Sequence, residues 1–399
     1  MDRRVYLAAR VRPLTPREVS MGGKSCIVVD GSCTTLVNPE TGDAKAFVLD
    51  YSYDSMDANR STADNGRIFQ EIGSNMVSDA LEGFNTCLFA HGCSQTGKTY
   101  TLIGQETDPG LLPRTLEALF QQEEVVSGQI AVFASFYELN KEQVRDVLRR
   151  DFYSPGGLKV RMRPDGSGSD VEGLCKIRLE TMSDCEDFLA QVLRCLGGIA
   201  QSAHTFFTIE LYNAQDVARS ASERPVPFSR IHLVDLAGSA AGSGDLGSGF
   251  IGGKPHATPQ DKSLLAWANV MSALAENQML AGRVSTAQTA RSAKGGKPQV
   301  FVPFRGSVLT RILEDSMGPR SRSYVIATLS PSHLVYRETV NTFRLIVRTK
   351  EVKKVARNEQ VLRAYLGDSD FIPAAGGGWR WSYCTKQVEE SSSGSFAQA

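Results

Sequence analysis

One stretch constrains the chain more than any other. Residues 86–90 read as a short apolar strand, and His91 then leads into Gly92, four intervening residues, and Gly97-Lys98-Thr99 before a helical pattern resumes. This is the G-x-x-x-x-G-K-[ST] spacing with a strand before it and a helix after it, the setting in which such a loop binds phosphate. Each part has a chemical task. Backbone N–H groups across Gly92, Cys93, Ser94, Gln95, Thr96 and Gly97 face phosphate oxygens, Lys98 reaches the outer phosphates, and Thr99 offers a hydroxyl to Mg²⁺. Gln95 occupies a place where many such loops carry Gly, so a positive φ there would strain it.

Around this loop the chain reads as an α/β protein. Residues 5–11 form a buried strand closed by Arg12-Pro13, since proline cannot donate to a ladder. Short β-rich pieces at 26–30, 34–38 and 47–53 suggest a small antiparallel lobe spanning 24–53. From Asn65 the pattern turns helical, with Ile68, Phe69, Ile72, Met76, Ala80 and Leu81 on one face and Gly83 as the stop. The helix after the loop is expected to end near Pro109-Gly110, and 112–120 to form another. Residues 130–139 read as a strand and 142–148 as a short helix. A Gly/Pro/Ser-rich stretch over 154–170 reads as a surface hairpin region. The segment 183–196 is an amphipathic helix with Ser183 as N-cap and Gly197-Gly198 as stop.

Two strands follow, 205–213 and 228–235, the second ending on Asp235 and Gly238. Residues 239–259 hold little to pack and are expected to be a mobile loop. Helical periodicity returns over 262–276, then a polar insert over 282–299 carries Arg283, Arg291, Lys294 and Lys297 without an acid. A short helix over 309–315, a strand over 324–329 and a helix over 339–350 complete the pattern. A flexible tail is expected over 358–399, with Trp379-Arg380-Trp381 as a local packing motif.

Charge and cysteine usage narrow the partners. The chain has 399 residues, enough for one large domain or two ordinary ones, and 44 basic residues balance 44 acidic ones. Bulk attraction to nucleic acid or membrane is therefore not indicated, and an electrostatic partner must meet a local patch. The 8 cysteines show no C-x-x-C pair, which argues for free thiols in a reducing cytosol rather than zinc. There is no signal-peptide core and no apolar run of membrane length. Without sustained heptads the chain is expected to be a monomer, and the strand beginning at Val5 points to an N-terminal position for the domain.

A strand-end carboxylate such as Asp235, followed by Leu236-Ala237-Gly238, suits a Mg²⁺ site reached through water. With this in place the chain resembles the kinesin motor domain over nearly all of 5–354. The resemblance rests on ARVRPL at 9–14, the phosphate loop, SFYELNKEQVRDVL at 135–148, LVDLAGS from 233, DKSLLAWANVMSALAE at 261–276, VPFRGSVLTRILEDSMG at 302–318 and the series from ATLSPS at 327 to 353. It implies a P-loop NTPase fold over 1–357, with a central sheet of about eight strands flanked by helices on both faces. It also implies ATP/ADP and Mg²⁺ as ligands, microtubules as partner, and a cytoplasmic, cytoskeletal location.

The resemblance further implies roles at matching positions. Arg10, Arg12 and Pro13 would form the adenine side, although Arg10 alone could be an ordinary solvated strand end. Gly92 to Thr99 would hold the phosphates, Asp235 the Mg²⁺ waters, and Gly238 would sense the γ-phosphate through its N–H. The helix over 262–276, with Lys262 at its start, would lie along tubulin beside 302–313. Residues 350–357 would begin the neck linker.

Departures are equally informative. The family's first switch, N-x-x-S-S-R-S-H, aligns with 197–204, where only His204 survives; Ala200 and Gln201 replace the hydroxyls and Ser202 the Arg. Ala240 replaces the Glu of the second switch. In active members that Arg and Glu pair to close the pocket and order the lytic water. Their joint loss avoids an unpaired buried charge and predicts a domain that binds nucleotide but hydrolyses it weakly. Two alternatives stand beside it: an active motor closed by other residues such as Gln201 or Glu223, and a scaffold that keeps only the fold. On the track side Gly306 and Val308 remove one basic contact, while Arg283, Arg291, Lys294, Lys297, Arg305 and Arg311 offer a positive run to acidic tubulin tails, or simply a solvated loop.

Overall fold

The computed structural model describes residues 5–56, 64–149, 156–163, 168–200, 202–219, 225–238, 250–251, 254–255, 259–286, 300–318, 321–347, 354–355, 371–373 and 379–381. Nine strands form the main sheet: β1 (Val5–Val11), β2 (Tyr51–Asp54), β3 (Asn85–His91), β4 (Ile130–Asn140), β5 (Gln143–Asp146), β6 (Ile177–Leu179), β7 (His204–Asn213), β8 (Ser229–Asp235) and β9 (Ser321–Leu329). Their order is β5-β4-β7-β8-β3-β9-β1-β2, with β6 added to β4. From β8 to β2 every pair is parallel, and from β4 to β8 the pairs are antiparallel. β3, which carries the phosphate loop at its C-terminal end, lies between β8 and β9 in the parallel half.

Both faces of this half are covered, as parallel strands require. The alternation of β3 shows how: Cys87 and Phe89 enter one core, Leu88 and Ala90 the other. On the first face lie α5 (Pro259–Thr286), α6 (Val308–Ile312) and α7 (Tyr336–Val347), through Trp267, Leu309 and Phe343. On the second lie α1 (Ser74–Leu81), α3 (Leu111–Leu119) and α4 (Met182–Leu196), through Met76, Leu112 and Phe188. A further short helix, α2 (Lys98–Leu102), follows the loop. No helix among the described residues is long and apolar enough to cross a membrane.

Several local expectations are corrected. Residues 142–148 are not a helix: β5 returns antiparallel on β4 through a two-residue turn at Lys141 and Glu142, with φ of 50° and 63°. A turn with two positive φ values matches strand twist, so pairing with β4 overrides local helix preference. α2 stops at Leu102 rather than near Pro109, because Gly104 at φ 75° opens a small hairpin, Gly104–Gln105 against Asp108–Pro109. α4 is capped by Thr181, not Ser183. Its hydroxyl accepts from Asp184 N–H while the Asp184 carboxylate accepts from Thr181 N–H. Residues 47–53 divide: Ala44–Val48 pairs within the lobe, whereas β2 pairs parallel with β1 in the main sheet. The lobe gains a strand from beyond α7, Lys354–Val355, antiparallel to Ala44–Val48.

A short helix that the periodicity did not show, Pro16–Ser20, is closed by a reciprocal cap between Thr15 and Glu18. The residues expected to be a mobile loop after Gly238 lie outside the described residues, apart from two paired fragments, Phe250–Ile251 and Lys254–Pro255. The expected tail does too, apart from Phe371–Pro373 paired with Trp379–Trp381.

Candidate functional site

The loop between β3 and α2 is wrapped tightly against the sheet. A Cβ on Gly92 would lie 2.3 Å from the Thr328 carbonyl oxygen of β9, so only glycine permits that approach. Thr96, also buried, ties the loop down further: its hydroxyl donates to Cys93 O at 2.8 Å and lies 2.7 Å from Thr328 Oγ1. Gln95 adopts φ 63°, the left-handed conformation its sequence position warned of. Such a residue costs about 1–2 kcal/mol. Arg12 holds it in place, donating from Nε to Gln95 O at 2.9 Å. Gly97 follows at φ 99° and turns the chain into α2 without a side-chain cap.

Lys98 and Thr99 then point back toward the strand ends. The Lys98 side chain is folded over the loop, donating from Nζ to Gly92 O at 3.1 Å and to Cys93 O at 2.8 Å. Burial pulls its pKa down, with Asp235 opposing. Thr99 Oγ1 donates to Asp235 Oδ2 at 2.5 Å, joining α2 to the end of β8. Burial pushes the Asp235 carboxyl up, and Lys98 and Thr99 oppose that. Three residues beyond, a Cβ on Gly238 would meet Ser94 Oγ at 2.8 Å, Ser94 N at 3.0 Å and Lys98 Nζ at 3.3 Å. Gly238 therefore sits against the loop in a cradle that any side chain would fill. An uncapped helix start, a buried ammonium held only by carbonyls and a hydroxyl–carboxylate pair suit a Mg²⁺-bound polyphosphate.

The three residues expected on the adenine side separate. Pro13 is exposed. Arg12 forms a forked pair with Glu18, at 2.7 and 2.8 Å. Arg10 is no solvated strand end. It is 5 % exposed, donates from Nη1 to Asn65 Oδ1 at 2.6 Å and Thr101 Oγ1 at 2.8 Å, and lies over the Tyr100 ring. The Tyr100 hydroxyl in turn donates to Asp108 Oδ2 at 2.9 Å. Sequence reasoning missed Tyr100, Asn65 and Asp108; an aromatic residue directly after Lys98-Thr99 was the available signal. It also missed Glu18, although T-x-x-E over Thr15–Glu18 is a capping-box signature.

At the switch positions, Ser202 lies in an exposed turn just before β7, and Gln201, Glu223 and Ala240 lie outside the described residues. His204 is buried, with Nδ1 accepting from Ala237 N–H and Nε2 2.8 Å from Ser263 Oγ. Nearby in the chain from Ser263, Lys262 is exposed on α5, and Arg305 is exposed on the turn Phe304–Gly306. A Cβ on the neighbouring Gly306 would touch Ala266 Cβ at 3.4 Å, one helical turn from Lys262, so these two cations share a surface. Arg311 differs: it is half-buried and donates to Val160 O at 2.8 Å. Arg291, Lys294 and Lys297 lie outside the described residues.

Comparison with known proteins agrees with this architecture. The Kinesin motor domain family matches over residues 10–352. The chain is 36% identical over 373 residues to the kinesin-like protein KIF16B of Mus musculus, covering 87% of this chain and 27% of that protein. It is 34% identical over 370 residues to kinesin-like protein KIF1B of Mus musculus, covering 88% and 19%. Kinesin-like protein Klp98A of Drosophila melanogaster is 33% identical over 371 residues, covering 87% and 28%. The chain thus spans little more than a quarter, or less, of each of these relatives. Among solved structures, residues 391–755 of KIF14 with ADP in complex with a microtubule superpose with a TM-score of 0.69 at 27% identity, covering 89% of this chain and 97% of that one.

Proposed function

From the premise that this chain belongs to the kinesin motor domain family, we propose that it holds Mg-ATP and Mg-ADP on the loop from Gly92 to Thr99, binds microtubules, and hydrolyses ATP weakly. The observation that carries the binding half is the joint placement of Lys98, Thr99, Asp235 and Gly238 around one concave loop. Mg-ATP, when bound, supplies the phosphoanhydride bond whose cleavage would power a motor. In this reading Lys98 exchanges its two carbonyl partners for phosphate oxygens, and the loop amides meet the remaining charge. Thr99 and Asp235, already hydrogen-bonded to each other, would hold Mg²⁺ when it is bound. Gly238, lacking a side chain, brings its N–H to the phosphate side of the loop. Arg10 and Tyr100 form the wall from which the base side is built.

The hydrolysis half rests on what the two switches lack. Ser202 and Ala240 cannot form an ion pair across the pocket, and Ala200 and Gln201 offer no hydroxyl. Without a closing pair to order water, the rate should fall by on the order of 10² to 10⁴. Lys262 on α5 and the neighbouring Arg305 support a microtubule-facing surface here, because tubulin tails are acidic and both cations are exposed. Arg291, Lys294 and Lys297 would extend it. Arg311 contributes by holding α6 to Val160, in the antiparallel pair of Val160–Met162 with Ser169–Val171, rather than as a free charge.

The test is phosphate release from Mg-ATP with and without microtubules, alongside equilibrium binding of a fluorescent ADP. Tight ADP binding with little stimulated release is the expected result. Robust stimulated release would overturn the weak-hydrolysis reading, and absence of ADP binding would overturn the nucleotide site itself.

A further inference from the structure

His204 is the first residue of β7, two positions after Ser202, and it is 2 % exposed. Its two ring nitrogens are engaged by different parts of the molecule. Ala237 N–H donates to Nδ1 at 3.0 Å, so Nδ1 carries the lone pair and the ring proton sits on Nε2. Nε2–H therefore donates to Ser263 Oγ, 2.8 Å away. Burial keeps the ring neutral, drawing its pKa down to about 4. A neutral imidazole held this way is a directional strut. Rotating it would leave the Ala237 amide unpaired where water does not reach.

Both ends of the strut are well placed. Ala237 immediately precedes Gly238, the residue seated against Ser94 and Lys98 of the loop. Ser263, itself 2 % exposed, lies early in α5 beside the exposed Lys262. One helical turn further along α5, Trp267 approaches His91, the residue before Gly92, with ring centroids 6.1 Å apart. That contact is packing alone, since neither Trp267 Nε1 nor His91 Nδ1 has a hydrogen-bond partner. Among these contacts between the face of α5 and the nucleotide side, the path through His204 is the hydrogen-bonded one.

We propose that His204 is a positioning residue that transmits movement of the first turns of α5 to the Ala237–Gly238 peptide, and through it to the loop face bearing Ser94 and Lys98. The inference rests on reading the loop as the nucleotide site and α5 as the track side. It adds a mechanical link at the one first-switch position that keeps the family residue. Because the link runs through hydrogen bonds, breaking it at the Ser263 end should be felt at the Ala237 amide, whose hydrogen bond goes to the opposite ring nitrogen.

The test uses the full chain and amide hydrogen exchange of the 234–238 segment in nucleotide-free protein, with β3 as internal reference. Ser263→Ala is expected to speed exchange at Ala237 about fivefold or more without a matching change in β3, while Ser263→Thr, which keeps the hydroxyl, restores slow exchange. His204→Asn, whose amide can take the place of Nδ1 but does not reach Ser263, should resemble Ser263→Ala. Unchanged exchange at Ala237 in Ser263→Ala would overturn the proposal, as would equal acceleration in β3, which would mark a global loss of stability. A second arm measures how far microtubules weaken fluorescent ADP binding. That weakening should shrink severalfold in Ser263→Ala and return in Ser263→Thr. If the wild-type chain binds neither ADP nor microtubules, the functional reading fails while the exchange arm still decides the role of His204.

Discussion

Replacing Lys98 with methionine separates what the loop needs to fold from what it needs to bind. In the structure the ammonium makes two hydrogen bonds to main-chain carbonyls, at 2.8 and 3.1 Å, and it is only 8 % exposed. Hydrogen bonds to a charged group contribute about 1.5–3 kcal/mol each, so the pair offers about 3–6 kcal/mol. Against that stands the several kcal/mol lost by taking an ammonium out of water. The two nearly cancel, and Lys98→Met should change the stability of the nucleotide-free protein by no more than about 2 kcal/mol, or a Tm shift within about 5 °C. Binding has no such offset. An ion pair that loses one partner at a buried site costs about 3–5 kcal/mol, and the Kd for fluorescent ADP should rise by about two to three and a half powers of ten. Differential scanning fluorimetry and fluorescence titration on the same preparation measure both quantities. A Kd change below about tenfold would refute the placement of phosphate beside Lys98, and a Tm fall beyond about 10 °C would show that the ammonium holds the loop together.

Three further outcomes follow from buried groups. Trp267→Phe should cost within about 1 kcal/mol despite the lost volume, because it also removes a buried N–H with no partner; a loss above about 2 kcal/mol in chemical denaturation would contradict this. Arg230→Met should cost about 3 kcal/mol by the same measurement. It strips the guanidinium from Glu210 at 2.8 Å and Asp315 at 2.6 Å, although Lys176 and Arg163 still pair with those carboxylates, and a loss under about 1 kcal/mol would show that the network adds nothing. Glu18 gives an acid limb of known sign. Burial would raise its pKa, but Arg12, Ser330 and Thr15 donate to the carboxylate and hold it at about 2, below its ordinary 4.5. A depressed carboxyl contributes stability that is present above pH 4.5 and lost as the pH falls toward 2, so Tm plotted against pH in that window should be flatter for Glu18→Gln than for wild type.

The phosphate loop, the strand it leaves, the acidic end of β8 and the order of the apolar elements were legible in the sequence. The reason is that each is encoded locally: a loop that must accept positive φ needs Gly97, a strand with both faces buried must be continuously apolar, and a helix with one buried face must repeat. Gln95 shows how far this reaches, since its left-handed φ could be anticipated from residue type and position alone. The hairpin at Lys141-Glu142 was not legible, because its partner strand β4 supplies the register that local propensity does not contain. Nor was the burial of Arg10, whose partners Asn65 and Thr101 lie 55 and 91 positions away.

The same division applies to function. Sequence alone determined that a G-x-x-x-x-G-K-T loop stands between a strand and a helix and that Ser202 and Ala240 occupy the positions where an Arg and a Glu were expected. Only tertiary structure decided which nitrogen of His204 carries the proton, that Arg311 is taken up by Val160, and that Gly238 rests against Lys98. Each of these depends on distances between segments that the chain brings together from afar, and hydrogen-bond energy falls away over less than 1 Å of such distance.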